Sequence, residues 1–174
     1  FDLMRTRRFE PSHNRAIFDP RRVMRDAMRT GGELILPKFR QKRLVHPPLV
    51  VLADISGSMS QYSRIFLHFL HALTADRHKV HTFVFGTRLT NITRQLRYRD
   101  PDEALALCSA SVKDWSGGTR IGETLAEFNR KWSRRVLGQG AELLLITDGL
   151  ERDDTTHLSH EMERLSKSCR RIIW

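Results

Sequence analysis

"LVVLADISGSMS", residues 49–60, runs from a nearly unbroken apolar stretch into one carboxylate and three hydroxyls. Its first half is what a strand buried on both faces of a parallel sheet needs: short, continuous and rich in β-branched residues. The second half has two readings. In one, Gly57 makes a tight turn and Ser58 with Gln61 forms a capping box that opens the next helix, with no metal involved. In the other, Asp54, Ser56 and Ser58 are oxygen ligands that seat a hard cation.

The rest of the chain alternates strand and helix patterns. A helix is predicted over about 60–76, with Tyr62, Phe66, Phe69, Leu70 and Leu73 on one stripe. "KVHTFVFG" (79–86) reads as a second strand. "NITRQLRY" (91–98), poorer in apolar residues and set off by a turn at Gly86–Arg88, suits an antiparallel edge strand. Pro101 opens a helix carrying Ala104, Leu105, Leu107 and Cys108, and the next helix places Ile121, Leu125, Phe128 and Trp132 on one face. "AELLLITDG" (141–149) is another buried strand. Leu158, Met162, Leu165 and Cys169 mark a last helix before "RRIIW" (170–174) begins a further strand. This alternation predicts an α/β fold over residues 48–174: a doubly wound, mostly parallel sheet with helices on both faces. The chain opens on Phe1, so the sequence reads as a piece of something longer.

With 40% hydrophobic and 29% charged residues, the composition is that of a folded protein rather than a disordered one. The net charge of +10 is unevenly spread, because residues 1–47 hold twelve Lys and Arg against five acids. This segment reads as a basic N-terminal arm with one short helix. In "FDPRRVMRDAMRTGG" (18–32), Asp19 suits the N-cap, Pro20 the first turn and Gly31–Gly32 the stop, while Val23, Ala27 and Met28 share a face. Residues 33–48 read as an extended basic connector that ends at Pro47–Pro48. A basic arm suits nucleic acid, an acidic protein or an anionic membrane surface, or else packs on its own domain. No run reaches the roughly 18 apolar residues of a membrane span, and no signal peptide is visible. Two cysteines are too few for a disulfide framework or a zinc motif, which points to a reducing, cytoplasmic setting, with peripheral membrane contact open through the arm.

In doubly wound sheets ligands gather beyond the carboxyl ends of the strands, where the strand order reverses. Three loops are expected there: "DISGS" (54–58), "SGGT" (116–119) and "ITDG" (146–149). Asp54, Ser56, Ser58, Thr119 and Asp148 offer oxygen alone, which favours Mg²⁺, with Mn²⁺ or Ca²⁺ as alternatives, over the softer zinc and copper. Two carboxylates balance the ion, while three hydroxyls donate weakly and leave it electrophilic toward a partner's Asp or Glu. Taken singly, Thr119 is equally a helix N-cap and Asp148 a turn residue. Trp115, Gly118 and Glu151 flank these loops as candidate partner contacts; Trp115 is otherwise a packing anchor, and Glu151 part of a solvated acidic rim with Asp153 and Asp154. His68, His71, His78 and His81 have no matching carboxylate pattern, and Cys108 and Cys169 fall on apolar helix faces, so both sets read as structural.

On D-x-S-x-S at Asp54, Ser56 and Ser58, followed by Thr119 and Asp148, the sequence resembles the von Willebrand factor A-type (VWA) domain with its metal-ion-dependent adhesion site (MIDAS). The resemblance spans about residues 48–174 and implies a fold that continues through another helix and strand past "RRIIW" (170–174). It implies that Ser56 and Ser58 ligate the metal directly, Thr119 directly or through water, and Asp54 and Asp148 commonly through bridging waters. Within that superfamily, "DPRRVMRDAMRTGGELI" (19–35), a basic run and then "LVVLADISGSM" (49–59) resemble the CoxE-like proteins. That likeness implies an adaptor, without catalysis of its own, that joins a MoxR-type AAA+ ATPase to a client metalloenzyme such as a molybdenum-containing carbon monoxide dehydrogenase-type enzyme. Two other classes stay open. A metal-dependent phosphoester hydrolase would need a general base that hydroxyl-rich ligation does not supply, and Asp-nucleophile phosphatases carry a second acid where Ser56 stands. Nucleic-acid binding by the arm rests on charge alone, since its arginines match no known recognition module.

Overall fold

The chain divides into two units, Phe1–His46 and Pro47–Trp174, and the computed structural model describes residues 3–14, 16–32, 35–55, 63–77, 79–112, 120–147 and 155–174. The first unit holds strands β1 (Met4–Ser12), β2 (Ile17–Phe18) and β3 (Phe39–Val45) and helix α1 (Pro20–Arg29). Helix α1 has the predicted ends. The Asp19 carboxylate accepts from the Arg22 N–H at 3.3 Å and Pro20 takes the first turn. Past the helix, Gly31 and Gly32 adopt φ of 64° and 86°, a region that side chains other than hydrogen disfavour.

The expected extended connector is corrected. Phe39–Val45 is instead the central strand of an antiparallel sheet ordered β1-β3-β2, with Met4 opposite Val45 and Phe18 opposite Phe39. Its partner Met4–Ser12 is a strand for which the sequence pattern predicts no element. Both strands carry Arg or Lys where alternation would call for apolar residues, and this hides the period of two. One cation does take part in the packing: the Arg40 guanidinium sits 4.5 Å from the Phe9 ring centroid, a cation–π contact across the two strands.

The second unit follows the predicted alternation. Its elements are β4 (Leu49–Asp54), α2 (Ser63–Asp76), β5 (Val80–Phe85), β6 (Leu89–Asn91), a 3₁₀ turn at Gln95–Arg97, α3 (Pro101–Ser111), α4 (Ile121–Lys131), α5 (Ser133–Val136), β7 (Glu142–Ile146), α6 (Thr155–Ser168) and β8 (Arg171–Ile173). The sheet order is β6-β5-β4-β7-β8, parallel throughout except for β6, which pairs antiparallel with β5 at the edge. Every residue of β4 is buried, and its side chains alternate between two cores. Leu49, Val51 and Ala53 pack with Leu67 and Leu70 of α2 and Cys108 of α3. Val50 and Leu52 pack with Phe83, Phe128 of α4 and Leu165 of α6. Helices α2 and α3 therefore cover one face of the sheet, and α4 to α6 the other. Among the described residues no helix is long and apolar enough to cross a membrane.

Two local expectations shift. The edge strand is Leu89–Asn91 rather than 91–98, because Ile92 and Thr93 close it off. The Ile92 N–H donates to the Thr82 carbonyl at 3.0 Å, and the Thr93 hydroxyl then takes the Thr82 N–H at 2.9 Å in place of a backbone partner. The buried stripe of α2 is also rotated: Leu67, Leu70 and Thr74 point inward with Phe66 and Leu73 beside them, while Phe69 is half exposed. Tyr62 lies outside the described residues.

Helices α4 and α6 are joined by a buried polar pair. Asn129 Nδ2 donates to Glu161 Oε2 at 2.6 Å and to the Glu161 carbonyl at 3.1 Å, and Arg164 donates to the same carboxylate at 3.1 Å. Burial works against the Glu161 carboxylate, yet the bonds from Asn129 and Arg164, the Arg164 charge and a bond from His160 outweigh it and hold its pKa below the ordinary value. A depressed folded pKa contributes stability above the unfolded value of about 4.3, lost as pH falls through the lower folded value. Asn129→Ala is thus expected to cost about 1–3 kcal/mol at pH 7. In urea unfolding followed by tryptophan fluorescence, that gap narrows as the pH falls below the ordinary carboxylate range. A gap independent of pH would contradict the assignment.

Candidate functional site

Asp54 ends β4 with its side chain wholly buried. On one side it pairs in register with Phe85, whose carbonyl accepts the Ile55 N–H at 2.9 Å, so the chain stays tied to β5 for one residue past the carboxylate. On the other side Ala53 faces Ile146 of β7. One step further, Thr147 lies beside Asp54, and its hydroxyl donates to Asp54 Oδ2 at 3.1 Å. Strand β4 is where the sheet reverses direction, with β5 on one flank and β7 on the other. The Asp54–Thr147 contact therefore sits at the switch point, at the carboxyl ends of two adjacent parallel strands.

Of the predicted metal ligands the structure describes Asp54. Ser56, Ser58, Thr119 and Asp148 lie outside the described residues, as do Trp115, Gly118 and Glu151 and the alternative capping pair Ser58 and Gln61. The described residues at which the three loops begin or end share one edge of the second unit. Ile55 and Thr147 leave β4 and β7 there. Ile121, in the first turn of α4, packs in the same core as Phe85 and Leu145. Gly122 meets the first turn of α6: a Cβ at this position would lie 3.1 Å from His157 Nδ1, which would have to give slightly, and 3.5 Å from the Leu158 nitrogen, at ordinary contact distance. The far end of α6 is at the opposite edge, where the Arg170 N–H donates to the Ala141 carbonyl just before β7.

Thr147 is the functional candidate that sequence reasoning missed. Its signal was a polar residue one step past the apolar part of "AELLLITDG", in the place that parallel register sets beside Asp54. The signal is readable only once β4 and β7 are known to be neighbours.

The donor chemistry fits a hard divalent ion. A buried carboxylate held by a hydroxyl offers oxygen and negative charge, and none of the five predicted ligands offers sulfur or imidazole. Among the described residues no three His, Cys, Asp or Glu side chains gather as a metal cluster. The described histidines have other surroundings: His71 Nε2 lies 2.8 Å from the Tyr98 carbonyl, and burial together with the Arg97 charge pushes the His81 pKa down. Cys108 is buried, with its thiol pushed up to about 11, and the Cys169 thiol donates to the Leu165 carbonyl, so both are structural as expected.

Solved structures share this architecture. Proximal thread matrix protein 1 of the mussel byssus, in a structure with a zinc-occupied MIDAS motif, aligns over 74% of this chain at 18% identity and a TM-score of 0.55. The manganese-loaded TRAP protein of Plasmodium vivax aligns over 73% at 20% identity and a TM-score of 0.52. The chain spans 37% of the first protein and 56% of the second. At these identities the likeness is one of fold. No curated protein sequence matches the chain. The model of the family described as VWA domain containing CoxE-like protein matches residues 1–174, and so runs through both units. A match of that extent, on a sheet whose reversal point carries the buried Asp54, makes this chain a member of the VWA-domain-containing CoxE-like family.

Proposed function

We propose that this chain is a metal-ion-dependent protein-interaction module in which Asp54, Ser56, Ser58, Thr119 and Asp148 hold Mg²⁺, with Mn²⁺ or Ca²⁺ as substitutes. The observation that carries the reading is the wholly buried Asp54 carboxylate at the β4–β7 switch point, held by the Thr147 hydroxyl. VWA domains are generally interaction modules rather than enzymes. The metal would supply an electrophilic centre for a carboxylate brought by a partner. Asp54 contributes charge from below the site, and Thr147 fixes which way that charge points. Hydroxyl ligands add oxygen without adding a base, so the module binds and does not hydrolyse.

As a CoxE-like protein, the chain would serve as an adaptor between a MoxR-type AAA+ ATPase and a client metalloenzyme undergoing maturation, such as a molybdenum-containing carbon monoxide dehydrogenase-type enzyme. The family match supports this reading, and free Cys108 and Cys169 suit the reducing cytoplasm in which such an ATPase works. Trp115, Gly118 and Glu151 are the proposed rim on which the partner lands.

Two measurements test the proposal. In pull-downs with a MoxR-type ATPase, wild-type chain is expected to retain the partner with Mg²⁺ and lose it with chelator, while Asp54→Asn and the double variant S56A/S58A lose it in both conditions. Retention that ignores both chelator and substitutions would refute the module. In calorimetric Mg²⁺ titration, Thr147→Val is expected to weaken binding by about tenfold, the usual effect of removing a group that orients a ligand. Unchanged affinity would show that the hydroxyl does not position Asp54.

A further inference from the structure

Helix α1 is ten residues long and none of its side chains is fully buried. Helices of this length are marginal in water unless a surface supports one face. Its sequence is nevertheless sorted by face. At the helical repeat of about 100° per residue, Val23, Met24, Ala27 and Met28 fall within an arc of roughly 140°, and Arg21, Arg22, Arg25 and Arg29 occupy the remainder with Asp26. Val23 and Ala27 are half-buried, whereas Met24 and Met28 are 65% and 80% exposed.

Among the described residues of its unit, few acids are left to neutralise the charge on this helix. Asp26 pairs with Lys38 at 3.5 Å, Asp19 caps the helix, and Glu10 accepts from Gln41 at 3.0 Å. Among the described residues no acid comes within ion-pair distance of Arg21, Arg22, Arg25 or Arg29. The exposed surface therefore combines two long, flexible apolar side chains with a bordering row of guanidinium groups.

That combination selects among anionic partners. Single-stranded nucleic acid is held by aromatic rings on which bases stack, and α1 carries none. A helical acidic peptide is held in an apolar groove, whereas the exposed side of α1 is convex. A phospholipid surface uses both parts at once: phosphates accept the forked guanidinium donors, and methionines enter the boundary between headgroups and acyl chains. We infer that α1 is the contact through which this chain rests on an anionic phospholipid surface, with Met24 and Met28 entering the interface and Arg21, Arg25 and Arg29 on lipid phosphates. One short helix gives reversible binding that weakens with salt. The contact is independent of the Asp54 site.

Co-sedimentation of the whole chain with vesicles tests this. Binding is expected to phosphatidylcholine vesicles containing phosphatidylglycerol and not to phosphatidylcholine alone, and it falls as salt rises. Met24→Ser with Met28→Ser, and separately Arg21→Glu with Arg25→Glu, are each expected to weaken it about tenfold or more, with circular dichroism unchanged. Asp54→Asn and chelator leave it intact, so failure here is distinguishable from failure of the metal-site reading. No binding to anionic vesicles overturns the inference, as does binding that the methionine variant retains in full. Binding of oligothymidylate or polyglutamate equally by wild type and methionine variant, with no binding to anionic vesicles, would assign the arginines to nucleic acid or an acidic protein instead.

Discussion

The second unit is organised around a carboxylate carried to the end of an otherwise apolar strand. Withdrawing such a group from water costs several kcal/mol unless donors or a cation meet it. Asp54 is placed where two neighbouring strands end together, so that β5 fixes the backbone beyond it and β7 delivers a hydroxyl to its side chain. Strand order alone brings this about. Placing β4 between β5 and β7 makes it both the most buried strand and the point where the connections part, so the residue at its tip inherits a crevice. The two cores above and below the sheet pack against both faces of β4 and hold that geometry, which the proposed metal site would need.

Helix starts add a second layer of placement. The first turn of α4 packs on that of α6 at Gly122, and Asn129 with Glu161 ties the same two helices one or two turns further on. In sequence, Thr119 and Asp148 precede these two helices, α4 and α6.

Strands β4 and β7 are readable from sequence because burial leaves a nearly continuous apolar run, and β5 because Phe83, Val84 and Phe85 follow Val80 despite His81 and Thr82. Helices α3 and α4 were readable because their inward residues recur at regular spacing and Pro101 marks a start. The N-terminal sheet was not readable. Its strands are short of apolar residues and carry exposed Arg and Lys instead, so the pattern resembles a solvated tether. Of the site, Asp54 was legible from the abrupt polar end of β4. Thr147 was not, since its relation to Asp54 depends on which strands are neighbours.

The family match through residues 1–174 indicates that the basic unit belongs with the VWA unit rather than being an accidental appendage, and the proposed roles divide accordingly, with a metal-gated contact on one unit and a lipid contact on the other. The metal site is the central claim. Crystals of the chain soaked in Mn²⁺ and measured at the manganese absorption edge would test it most directly. An anomalous peak beyond the ends of β4 and β7, within reach of Asp54, is the predicted result. Manganese bound elsewhere, or none there at saturating concentration, would contradict it.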